Sequence, residues 1–180
     1  MLIRTAVAAT VATLLLGCAS SPIMKTFDQS ALPPAVQVPA GNSVFLETVG
    51  VGQITYECRV KAGAAGQFEW VFVGPEARLT ARDGKAFGRY FGPPATWESQ
   101  DGVKVTATQV AVAPATPGSI ALQLVKANPA SGTGRITGTT YIQRVATKGG
   151  VPPAIPCAAG NTGVRNVVQY QADYIFWKAS

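Results

Sequence analysis

Gln53-Ile54-Thr55-Tyr56-Glu57-Cys58-Arg59-Val60 places Ile54, Tyr56, Cys58 and Val60 on one side of an extended chain and Gln53, Thr55, Glu57 and Arg59 on the other. A side-chain period of two marks a strand with one buried and one wet face. The alternation recurs in Phe68, Trp70 and Phe72 and again in Ile120, Leu122 and Leu124. Near the end, Tyr170, Ala172, Tyr174 and Phe176 share a face opposite Gln169, Gln171 and Asp173. From Val103 to Val112 the phase changes, since Val103 and Val105 lie on one face and Val110 and Val112 on the other. A bulge near Gln109 accounts for the change.

Between these runs stand chain breakers: Gly63 to Gly66, Gly74-Pro75, Asp83-Gly84, Gly92-Pro93-Pro94, Asp101-Gly102, Pro114 to Gly118 and Ala127 to Gly134. They interrupt every window long enough for an amphipathic helix, and no internal repeat is visible. Hydrophobic residues make up 47% of the chain and charged residues only 13%, which gives enough apolar surface for a core. The expectation is an all-β fold, a single antiparallel β-sandwich or barrel-like domain over residues 41–180.

The N-terminus has a different character. One charge, Arg4, precedes an uncharged run from Thr5 to Leu16 that ends in Leu15-Leu16-Gly17-Cys18. The run is roughly half the ~20 residues that a membrane-spanning helix needs, and its layout is that of a secretory signal. Its end resembles the bacterial lipobox, in which the cysteine receives a lipid and the chain is cut just before it. The resemblance implies a signal over residues 1–17, palmitate-type acyl chains on Cys18, and a membrane partner held through them. More than one acyl chain makes such anchoring effectively stable. Ser20, where an aspartate would imply retention at the inner membrane, favours the outer membrane, with the protein facing the periplasm or the surface. Residues 18–40, with Pro22, Pro33, Pro34 and Pro39, read as a lipidated cysteine and a tether that lets the domain stand clear of the bilayer.

With Cys18 acylated, Cys58 and Cys157 remain as a pair in an oxidising compartment, where a disulfide is expected. A metal site built on them lacks partners, since the chain has no histidine and no Cys-x-x-Cys. The formal charge is +6, but the basic residues are scattered from Lys25 to Lys178 without a run of three. That spacing argues against a nucleic-acid partner.

Gln53 to Cys58, Gly74-Pro75-Glu76-Ala77, Gly92-Pro93, Thr96-Trp97-Glu98, Asp101-Gly102, Thr140 to Val145, Thr147 and Gly149-Gly150 follow one another in an order that resembles a known family. It is the family catalogued as domain of unknown function 3455, found in secreted bacterial and fungal proteins. Pro156-Cys157 and Ala172-Asp173-Tyr174 continue the match. The resemblance implies an exported β protein with paired cysteines and brings no chemistry with it. Where family members often carry a histidine before the Gly-Pro turn, this chain has Tyr90-Phe91.

Without histidine, a Ser-His-Asp triad is excluded, and no cofactor motif such as Gly-x-Gly-x-x-Gly opens a helix. Carboxylate chemistry is what remains. Glu98 and Asp101 stand beside Trp97, shortly after Asp83 and Arg89, an arrangement that would suit a polysaccharide hydrolase. Turn aspartates and an ion pair of Glu98 with Arg89 explain the same residues without catalysis. No catalytic residue is therefore nominated, and the expected role is non-enzymatic, binding or structural, toward glycans or another envelope component. The candidate ligand-binding residues are Arg89, Tyr90, Trp97, Glu98 and Asp101, with Trp97 expected to be partly exposed beside Arg89 and Glu98 in one concavity. Tyr141 and Gln143 are further candidates for lining a polar groove, although a solvated sheet face explains them equally.

Overall fold

The computed structural model describes residues 27–180. The signal region and Cys18 lie outside the described residues. Eight strands occupy most of the described chain: β1 (Asn42–Val60), β2 (Phe68–Ala81), β3 (Ala86–Phe91), β4 (Thr96–Ser99), β5 (Lys104–Ala113), β6 (Leu122–Ala127), β7 (Thr139–Gly149) and β8 (Arg165–Ala179). Each pairs antiparallel with the next in sequence, and β8 returns to pair with β1, so the sheet closes into a barrel. Of the two all-β architectures that the turn spacing allowed, the barrel is the one formed. Closure leaves no sheet edge unpaired. The phase change in β5 is a register shift between Gln109 and Ala111.

Period-two alternation sends Ile54 and Tyr56 of β1, and Tyr170, Ala172, Tyr174 and Phe176 of β8, into the interior, where all are buried. Two glycines on the inner face of β1 make room for them. A Cβ on Gly50 would come within 2.7 Å of the Tyr174 ring, and one on Gly52 would run into the Glu76 carbonyl of the neighbouring strand. Only a residue without a side chain lets the strands coil this tightly. Cys58 continues the inner row, fully buried, and is bonded to Cys157, with Cα atoms 5.4 Å apart. The disulfide ties β1 to the long β7–β8 connection, where the Trp70 indole also donates to the Ile155 carbonyl at 2.8 Å.

The expected tether is corrected in the part that is described. Residues 27–40 do not run free but lie along the outer wall of the barrel. A 3-10 turn, Pro34–Val36, directs Val36 inward, and Val36 and Val38 are buried against Leu124, Val145, Ile175 and Trp177. Each buried valine is worth about 1.5–3 kcal/mol. Gln143, on the same wall and fully buried, locks the strap. Its amide nitrogen donates to the Val36 carbonyl at 2.6 Å and to the Gln29 Oε1 at 3.0 Å, while its oxygen accepts from the Trp177 indole at 2.9 Å. Gln29 in turn exchanges two hydrogen bonds with the Val38 backbone. This strap explains why Tyr174 to Trp177 are buried on both faces of β8.

Candidate functional site

The five nominated residues fall on two sides of the barrel wall. Strands β3 and β4 pair so that Arg89 meets Glu98 and Tyr90 meets Trp97. Cross-strand partners share a face, so the first pair points outward and the second inward. Trp97 is only 1% exposed and Tyr90 5%, with their rings stacked at 4.7 Å. Trp97 also meets Tyr174 edge-on at 5.8 Å. The expectation of an exposed Trp97 is therefore corrected. The turn residues on both sides suggested a loop, but Trp97 sits on a four-residue strand whose alternation is too short to read from sequence.

Arg89 and Glu98 do share a hollow of about 290 Å³ with Gly88, Ser99, Gln100 and Gly102. Within it the Arg89 Nε lies 2.6 Å from Glu98, and Lys104 approaches the other carboxylate oxygen at 3.7 Å. The Arg89 hydrogen bond holds the Glu98 carboxyl below its ordinary range. Asp101 caps its own turn. It accepts from the Ser99 hydroxyl and from the Arg135 backbone N–H, and the Ser99 bond is the main reason its carboxyl is also held low. Glycoside hydrolysis needs one carboxyl raised so that it stays protonated as the acid. Both candidates are pushed the other way. Among the described residues no group of three or more His, Cys, Asp or Glu side chains could hold a metal ion.

A larger hollow, about 460 Å³, lies on the outer wall at one end of the barrel, beside the strap. Tyr141, half-buried, forms part of its lining beside Lys126, its cross-strand partner, with Asn42, Asn128 and Thr140 around them. The Thr140 hydroxyl donates to Asn42 Oδ1 at 2.7 Å, and the Asn128 amide donates to the Thr106 hydroxyl at 2.9 Å. The amides are therefore held in fixed orientations. Lys126 is exposed and makes no ion pair with a described residue. Of the two further residues that sequence singled out, Tyr141 lines this groove and Gln143 lies under the strap. Lys126, Asn42 and Asn128 were not foreseen, because Asn42 lies on β1 and the other two at the end of β6, and only the barrel brings them beside Tyr141.

No curated protein and no solved structure matches the chain. A family model does, over residues 39–178, which takes in the barrel strands apart from the last residue of β8. The chain belongs to the family described as protein of unknown function (DUF3455).

Proposed function

We propose that this chain is an exported envelope lipoprotein, anchored through Cys18, that binds a glycan or other envelope component without transforming it. The observation that carries the reading is the 460 Å³ groove, in which a tyrosine ring, two fixed amides, a threonine and a lysine without an ion pair among the described residues converge. Sugar rings stack their C–H faces on aromatic side chains while their hydroxyls meet amides, and a lysine adds preference for an acidic sugar. Export is supported by the signal pattern and by the Cys58–Cys157 disulfide, a bond that persists in oxidising compartments. With the strap fixed to the wall, the interval from Cys18 to Phe27 spans at most ~30 Å when fully extended.

The test is a screen of the acyl-free mature domain against neutral and acidic envelope oligosaccharides, repeated with Tyr141→Ala and Lys126→Ala. The reading requires binding that Tyr141→Ala abolishes and that Lys126→Ala weakens for acidic sugars more than for neutral ones. Binding untouched by either change would refute it. The second reading, a hydrolase using Glu98 or Asp101, is disfavoured because both carboxyls are held below their ordinary pKa range, so neither is kept protonated to act as the acid.

A further inference from the structure

The barrel interior is chemically divided. Toward one end Phe45, Phe87, Phe176 and Ile142 pack together as an apolar plug, with Phe87 and Phe45 6.1 and 6.5 Å from the Phe176 ring. From Tyr174 toward the other end the interior carries the hydroxyls of Tyr56, Tyr90, Tyr170 and Tyr174, and one cation. That cation is Arg144. It pairs across strands with the inward-facing Tyr174, and so faces the interior itself.

Arg144 is half-buried, so solvent reaches it, and no described carboxylate lies within ion-pair distance. Its Nε and one terminal nitrogen donate to the Ala121 carbonyl at 3.2 and 3.0 Å, and the second terminal nitrogen has no partner among the described residues. Of the interior hydroxyls, that of Tyr56 already donates to the Gly150 carbonyl at 2.8 Å. The Trp97 indole N–H is buried with no partner among the described residues, and the Tyr90 hydroxyl makes no hydrogen bond to a described residue. Tyr170 and Tyr174 share one hydrogen bond between their hydroxyls at 3.1 Å, which leaves one of the two O–H groups still to be placed. Burial drives the acidity of all four tyrosines weaker, and the Arg144 charge opposes that rise at each of them, which places the cation near the whole set. A buried donor without an acceptor is costly to the fold. A ligand that brings negative oxygen removes that cost.

We propose that this end of the barrel is a binding site for a small organic carboxylate, anchored on Arg144, whose aromatic or short apolar body packs against the tyrosine rings. The mouth of a small barrel is a common place for such a ligand, and an interior guanidinium recognises carboxylates by its paired donors. The site is separate from the outer-wall groove and does not depend on it.

Benzoate tests the proposal, with benzamide as its uncharged counterpart, by calorimetric titration of the full chain in mild detergent. The site requires saturable benzoate binding with Kd on the order of 1 mM or tighter. Benzamide should bind more weakly, and Arg144→Gln should lose roughly tenfold or more in affinity, as expected for a charged hydrogen bond. Arg144→Lys, which keeps the charge, should recover part of it. A reading that needs no variant is the arginine Nε–H resonance in the native protein, where benzoate should move the Arg144 signal and leave Arg89 and Arg165 in place. Absence of benzoate binding, equal affinity in Arg144→Gln with native folding, or shifts at surface arginines instead would each overturn the site.

Discussion

Replacing Gln143 with alanine tests whether the strap is part of the fold. Gln143 is fully buried and makes three hydrogen bonds, to the Val36 carbonyl, to Gln29 and from the Trp177 indole. In the alanine variant Gln29 can turn to other partners, but the Trp177 N–H, in a residue 6% exposed, and the Val36 carbonyl are left dry and unpaired. At about 1–3 kcal/mol for each orphaned group, with partial relaxation, the expected cost is about 2–4 kcal/mol. That is a large share of the ~5–15 kcal/mol that holds a domain together. With a urea slope of about 2 kcal/mol/M, the midpoint should fall by roughly 1–2 M. Urea denaturation followed by tryptophan fluorescence reads this directly. Hydrogen exchange should show the Val36 and Val38 amides losing protection before the barrel strands do. A cost below about 0.5 kcal/mol, the size of a neutral surface change, would refute the claim that Gln143 locks the strap.

The disulfide closes a loop with a sequence separation of 99, so the double variant Cys58→Ser/Cys157→Ser should lose about 2–4 kcal/mol and several degrees of Tm; an unchanged Tm would contradict the staple. Glu57 has its pKa lowered to about 2 by hydrogen bonds from Arg59 and then Arg165. A depressed folded-state pKa gives stability that is present above the ordinary value of 4.5 and is lost as pH falls from there toward about 2, so Glu57→Gln should flatten the urea midpoint in that window. If Cys18 is the lipid acceptor, Cys18→Ser should move the exported protein from the detergent phase to the aqueous phase on partitioning, and an unchanged partition would end the lipoprotein reading.

The inner wall was legible in the sequence because alternation reports which residues share a face. Ile54, Tyr56 and Cys58, and Tyr170 to Phe176, were placed correctly for that reason. Alternation does not say which face is inside when both are covered. Of the run Ile120, Leu122 and Leu124, the two leucines share a face, but it is the outer wall under the strap, where Ile175 and Trp177 are buried too, whereas Ile120 packs with the interior cluster. The strap itself reads as a proline-rich linker, since Val36 and Val38 carry no periodic signal. Trp97 was misplaced because β4 has only four residues between two turns, and its stacking on Tyr90 depends on a pairing that the sequence does not print. The groove at Tyr141 depends on barrel closure in the same way.

The proposal that the outer wall recognises an envelope glycan is tested most directly by backbone-amide chemical-shift mapping of the acyl-free domain titrated with acidic envelope oligosaccharides. The account predicts saturable shifts clustered on Asn42, Lys126, Asn128, Thr140 and Tyr141, with the Arg89–Glu98 hollow unmoved. Shifts centred on Arg89 and Glu98, or none with any oligosaccharide, would contradict it.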